Sequence, residues 1–130
     1  MFVLKIITPV KTLYSAEVQQ AILDTEAGTI TILDKHMDLL NVLKPGTIEI
    51  VNSKNAKQQI FVFGGLMFFD NAKNSLLVLA DEAKVPNEEL VQEIQQAINL
   101  AKQGKQHGLN VSLESLIKAE RELRNKLIKR

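Results

Sequence analysis

GTITILDKHMDLLNVLKPG, residues 28–46, places three kinds of structural instruction in nineteen consecutive residues. After the glycine, Thr29-Ile30-Thr31-Ile32 alternates polar and apolar side chains, the pattern of a strand with one buried face. Asp34-Lys35-His36-Met37-Asp38 breaks the alternation with a polar loop that carries one methionine. Leu39-Leu40-Asn41-Val42-Leu43 returns to apolar residues. Lys44-Pro45-Gly46 is a tight turn, in which proline presets one dihedral and glycine tolerates a positive one. Thr47-Ile48-Glu49-Ile50-Val51 starts the next strand at once.

On the N-terminal side, residues 2–7 alternate and end at Thr8-Pro9, where proline has no N–H with which to continue a ladder. Residues 12–14 and 18–23 read as two short strands parted by Ser15-Ala16-Glu17, and 24–28 as a turn. On the C-terminal side, residues 52–57 read as a polar hairpin loop joining 47–51 to 58–63. Gly64-Gly65 reads as a bend or bulge, and 66–69 and 75–79 as strands about the turn 70–74. About eight or nine short strands at this spacing mark a β-sandwich or flattened barrel. Tyr14, Phe61, Phe63, Phe68 and Phe69 are expected in its core rather than on a base-stacking platform.

Beyond residue 84 the period changes from two to 3.6. Asn87 is a candidate N-cap, with Glu88 and Glu89 in the first turn and Leu90, Ile94, Ala97, Ile98 and Ala101 on one face. The helix should end near Gly104, followed by a flexible connector, 104–110, in which His107 is expected to be solvated. Ser112 caps a second helix with Leu113, Leu116, Ile117, Leu123 and Leu127 on its apolar face, interrupted by Glu120. A two-helix hairpin buries both stripes. Residues 1–84 and 85–130 therefore read as a sandwich domain and a helical domain. The second has no cross-link and too few apolar side chains to be stable alone, so it is expected to dock on the sandwich or on a partner.

At 130 residues with 45% apolar content and no cysteine, the chain fits one ordinary domain or a small domain plus an appendage, with enough apolar residues for a core and no disulfide or thiolate metal site. No apolar run approaches the ~18 residues of a membrane span, and MFVLKIITPV reads as a strand rather than a secretory signal. Residues 1–84 carry eight lysines and nine acids, whereas all three arginines, Arg121, Arg124 and Arg130, fall in the last ten residues. Two readings stand for them: complement to a helix dipole, or planar donors for carboxylates or phosphates. Asp34, His36 and Asp38 form the one close histidine and carboxylate cluster, short of a defined metal site. A packing or partner-contact role is preferred for His36, with a small enzyme using His36 and Asp34 or Asp38 as the weaker reading. Met37 with Leu39 and Leu40 makes an adaptable apolar contact surface. No Gly-x-x-x-x-Gly-Lys-Ser/Thr loop occurs, so no cofactor and no nucleotide hydrolysis are expected.

The order of strand, histidine loop, Leu-Leu pair, Lys-Pro-Gly turn and strand, followed by Phe63-Gly64-Gly65-Leu66 and Leu76-Leu77-Val78-Leu79-Ala80-Asp81-Glu82-Ala83, resembles the epsilon subunit of F-type ATP synthases. Thr29, Thr31 and Met37-Asp38 depart from the family's usual acid, glycine and Ala-Pro. The resemblance implies an antiparallel β-sandwich with a C-terminal two-helix hairpin, and a non-catalytic central-stalk subunit on the cytoplasmic face of the bacterial cell membrane. It implies contact with the gamma subunit through His36, Met37, Leu39, Leu40 and Asn41, and with the c-subunit ring through Gly28 and Thr29. It further implies that Arg121, Arg124, Lys126, Lys129 and Arg130 meet the alpha/beta catalytic head and inhibit ATP hydrolysis. Some members bind ATP through an Ile/Leu-Asp-x-x-Arg-Ala motif; Leu90-Val91-Gln92-Glu93-Ile94-Gln95 lacks its Asp and Arg, so ATP sensing by that route is not expected. The alternative is a free-standing β-sandwich adaptor whose basic helix binds an acidic protein or nucleic acid. Against nucleic acid, the first 120 residues hold no arginine.

Overall fold

The computed structural model describes residues 1–109 and 111–128, with side chains through residue 125. Nine strands precede two helices: β1 Phe2–Ile7, β2 Thr12–Thr25, β3 Gly28–Leu33, β4 Leu39–Leu43, β5 Gly46–Asn52, β6 Lys57–Val62, β7 Gly65–Asp70, β8 Ser75–Ala80, β9 Ala83–Lys84, α1 Glu88–Lys102 and α2 Leu113–Ile128. They pair in the order β1-β8-β7-β4-β2-β5-β6-β9, with β3 on β2 and β1 also paired to β2.

The long strand β2 joins the two layers. Its first half pairs with β1 from Thr12 to Val18, and its second half pairs with β3 and β5. A register irregularity between Val18 and Gln20 falls where the strand passes from one set of partners to the other. The sequence suggests two strands here, broken at Ser15-Ala16-Glu17. In the fold these residues stay extended because β1 supplies their ladder, with Lys5 opposite Ser15 and Val3 opposite Glu17. Tertiary pairing overrides weak local propensity. A second difference is that the sandwich is not wholly antiparallel: β1 runs parallel to β8, with Leu4 opposite Leu76 and Ile6 opposite Val78.

Alternation assigns the core. Phe2, Leu4 and Ile6 of β1, Met67 and Phe69 of β7, and Leu76, Val78 and Ala80 of β8 point inward to meet Val18, Ala21, Leu23, Ile32, Ile48 and Ile50. Phe2 and Phe69 meet edge to face, their ring centres 5.7 Å apart. Gly65 begins β7 at φ 141°, and a Cβ built there would lie 2.1 Å from the Leu79 carbonyl oxygen. Only glycine permits that approach of β7 to β8.

A second core forms outside the sandwich. Ile60 packs on and Val62 lies in the sandwich interior, so Phe61 and Phe63 project the other way, and they are buried against Leu90, Ile94, Ala97, Ile98, Leu116, Ala119 and Leu123 of the helices. The hairpin is thus folded onto the sandwich. Asn87 caps α1, its side-chain oxygen accepting from the Leu90 N–H at 2.8 Å, and Ser112 Oγ accepts from the Ser115 N–H at the start of α2. Ile117 departs from its expected place on the apolar face: the buried stripe runs through Leu116, Ala119 and Leu123, leaving Ile117 at its flank, 40% exposed. The connector is also better anchored than its glycines suggest. Leu109 is buried in the helical core, and its N–H donates to His107 Nδ1, so His107 is half-buried.

Candidate functional site

One face of the sandwich has no cover among the described residues. Strands β4, β7 and β8 turn a second set of side chains outward, and that set is also largely apolar. Leu40 stands opposite Phe68, Val42 opposite Leu66, and Leu66 and Phe68 opposite Leu79 and Leu77. Leu40 is 66% exposed, and Val42, Leu66, Phe68 and Leu79 are exposed by 41–45%. Cross-strand neighbours on one face lie ~5 Å apart, so these side chains form one continuous patch. Phe68, expected in the core, belongs instead to this surface, because Met67 and Phe69 occupy the inward positions on either side of it. Val42, Leu66, Phe68, Leu77 and Leu79 were not anticipated as site residues. A signal existed: Leu66-Met67-Phe68-Phe69 and Leu76-Leu77-Val78-Leu79 are apolar at every position, as strands covered on both faces are.

The loop at residues 34–38 borders this patch. Met37 is 72% exposed, the most open apolar side chain of the loop. His36 is half-buried, its ring edge-on to Phe69 at 5.7 Å. His36 Nδ1 lies 2.7 Å from the Met37 carbonyl, and since a carbonyl can only accept, Nδ1 carries the proton. Leu39 packs on the sandwich core rather than facing out. Asn41 is half-buried, its Oδ1 accepting from the Val42 N–H. Of the five residues singled out in this region, Met37 and Leu40 are exposed at the surface, and His36, Leu39 and Asn41 are partly buried behind them.

The carboxylates of the loop are committed to its own architecture. Asp38 Oδ1 accepts from the Asn71 N–H at 2.7 Å, and Asp34 Oδ1 accepts from Asn74 Nδ2 at 2.7 Å and pairs with the N-terminal ammonium at 3.1 Å. The Asn74 hydrogen bond first, and the ammonium after it, hold the Asp34 carboxyl below its usual range. Among the described residues no group of three or more His, Asp or Glu is placed to hold a metal.

Gly28 and Thr29 close the β2–β3 hairpin, with Thr25 opposite Gly28; both are exposed, and Thr29 Oγ1 donates to Asp24 Oδ1 at 2.9 Å. Next to that hairpin, a cleft of about 390 Å³ lies between sandwich and α2, lined by Glu26, Lys44, Pro45, Lys118, Arg121 and Glu122. Arg124 is exposed and its Nε lies 3.3 Å from Glu120 Oε1 one turn earlier. The Lys126 side chain, Lys129 and Arg130 lie outside the described residues. No described helix is long and apolar enough to cross a membrane.

Residues 1–86 match the sequence pattern of the family described as ATP synthase, Delta/Epsilon chain, beta-sandwich domain. The ATP synthase epsilon chain of Clostridium kluyveri is 32% identical over 115 residues, 87% of this chain and 86% of that one. That of Dichelobacter nodosus is 34% identical over 82 residues, 63% of this chain and 56% of the relative, and that of Chelativorans sp. is 30% identical over 63% and 59%. The match thus spans little more than half the length of these last two relatives. In fold, the protein is similar to a chain in the Euglena gracilis mitochondrial ATP synthase structure of OSCP, F1 and c-ring, with a TM-score of 0.72 and 16% identity over 97% of this chain and 81% of that one. The Tetrahymena thermophila mitochondrial central stalk and c-ring structure holds another such chain, with a TM-score of 0.64 and 18% identity over 96% and 95%. With the family's sandwich domain spanning 86 of its 130 residues, this chain belongs to the ATP synthase delta/epsilon chain family.

Proposed function

We propose that this chain is a non-catalytic subunit of the central stalk of an F-type ATP synthase, peripheral on the cytoplasmic face of the bacterial membrane, and that it couples ion flow through the c-subunit ring to ATP synthesis. The observation that carries this reading is the uncovered apolar face of β4, β7 and β8. Apolar surface left in water is unfavourable by ~25 cal/mol per Å², and a continuous patch of this kind marks a protein interface. The gamma subunit is its proposed occupant, with Leu40, Leu66 and Phe68 at the centre and Met37 as an adaptable contact at the rim. Gly28 and Thr29, exposed at a hairpin tip, are the proposed contact with the c-ring.

Sandwich and hairpin divide the labour in this reading, at the boundary between residues 84 and 85. Arg121 and Arg124, with Lys126, Lys129 and Arg130, meet acidic segments of the alpha/beta catalytic head when the hairpin leaves the sandwich, and so inhibit hydrolysis. That departure uncovers Phe61 and Phe63, which sets an energetic bias toward the docked form.

Co-purification with the cognate gamma subunit tests the first part, and ATPase assays of the assembled head test the second. Full-length chain, residues 1–84 and the variant Arg121→Glu with Arg124→Glu are compared. Stable gamma binding by all three, with faster hydrolysis for the truncated and charge-reversed forms, is the expected result. Loss of gamma binding on charge reversal would contradict the division of labour. Failure of the full chain to bind gamma would favour the adaptor reading.

A further inference from the structure

The loop at 34–38 has no regular structure of its own, with Lys35 at φ 57° and a single backbone turn bond, His36 N–H to Leu33 O at 3.2 Å. What holds it lies some thirty-five residues away, in the β7–β8 turn at 71–74. Asn74 Oδ1 accepts from the Lys35 N–H at 2.7 Å, while Asn74 Nδ2 donates to Asp34 Oδ1 at 2.7 Å and to the Met1 carbonyl at 2.8 Å. Asn71 Nδ2 donates to the carbonyls of Lys35 at 3.0 Å and His36 at 2.8 Å, and the Asn71 N–H donates to Asp38 Oδ1. The two side-chain amides thus satisfy backbone groups at two successive loop residues. The amide orientation is fixed by its partners, because reversing Asn74 would set its oxygen against the Asp34 carboxylate. Asparagine is also suited to the turn, where Asn74 takes φ 47° and its N–H donates to Asn71 O.

We infer that Asn71 and Asn74 are positioning residues of the docking face: they hold the His36–Met37 segment in one shape at the start of β4, with Met37 exposed next to that face, so that the partner meets a preformed surface. This rests on the reading that β4, β7 and β8 carry the gamma contact. Neither asparagine needs to touch the partner. Their contribution is the ordering that the loop does not have to undergo on binding. The β7–β8 hairpin therefore serves the surface twice, through Leu66, Phe68, Leu77 and Leu79 on its strands and through the clamp at its tip.

The test measures affinity for gamma together with amide exchange. The full chain is titrated first, then Asn71→Ala, Asn74→Ala and Asn74→Asp, each with its unfolding midpoint and with exchange at the amides of Lys35 and Asn71. Each alanine variant is expected to bind gamma about tenfold more weakly, a step of ~1.4 kcal/mol, with faster exchange at the Lys35 amide in Asn74→Ala and sandwich amides unchanged. Asn74→Asp keeps the acceptor for the Lys35 N–H but places a second carboxylate against Asp34, and should weaken binding further. Adding Asp34→Asn restores a donor facing that carboxylate and should recover part of the affinity, a rescue that a general loss of stability would not show. Unchanged affinity in variants whose loop amides exchange faster would overturn the inference while leaving the docking face intact. Absence of gamma binding by the full chain would overturn the underlying reading and this one with it. Should Asn74→Ala fail to fold, Asn71→Ala, which leaves the Asn74 bonds in place, decides by the same affinity measurement.

Discussion

Two apolar surfaces on this sandwich have opposite fates. Phe61 and Phe63 project outward at the end of β6 and are fully buried, because the helical hairpin lies over them. Leu40, Val42, Leu66 and Phe68 project outward from β4 and β7 and stay exposed. In sequence the two are alike, since each is an apolar run that fills both faces of a strand. Among the described residues, one has a cover and the other has none. An apolar face covered by a marginal appendage can be uncovered again, whereas one without internal cover is suited to a lasting partner.

The sharpest break between the two comes from Phe63→Ala. Removing this ring from the centre of the second core should cost ~3 to 5 kcal/mol in chemical denaturation. Amide protection should be lost across α1 and α2 while the sandwich keeps its own, and gamma binding should be unchanged. Equal loss of protection in sandwich and hairpin would mean that the two cores are one cooperative unit. Phe68→Asp is the mirror experiment. Its side chain is 41% exposed, so stability should move by only about 1 kcal/mol. Gamma affinity should fall by ~2 kcal/mol or more, the scale of a central aromatic contact. A destabilised sandwich with normal affinity would instead return Phe68 to a structural role.

The smallest expected effect is that of acid on the loop beside the open face. The folded-state pKa of Asp34 is depressed, so the stabilisation it brings is present above the ordinary carboxylate pKa and is lost as pH falls through the lowered value. Because the group is exposed, the loss should be local. Exchange at the Lys35 amide should rise in strongly acidic solution while the amides of α1 and α2 do not follow. A rise already complete at mildly acidic pH would mean that a different group titrates there.

The strands around residues 28–46, the N-cap at Asn87 and the break near Gly104 were legible because each is written in local chemistry: alternation, a capping side chain, a glycine. Met37 and Leu40 were legible as exposed apolar side chains for the same reason, lying in and beside a polar loop. Phe68 was not, since a phenylalanine reads as core until the register with Leu40 and Leu77 shows which face it occupies. Asn71 and Asn74 look in sequence like ordinary turn residues, because the partners of their clamp lie far away in the chain.

Read alone, the sequence establishes a small sandwich followed by two helices, since period, turn residues and caps act over a few residues and need no distant partner. Where the hairpin lies, which strand faces are left open, the continuity of β2 through Ser15-Ala16-Glu17, and the hold of the β7–β8 turn on the His36 loop were decided only in three dimensions. Each depends on pairing or packing between segments tens of residues apart. Such contacts form because they satisfy backbone groups and bury side chains that no local pattern can match to each other in advance.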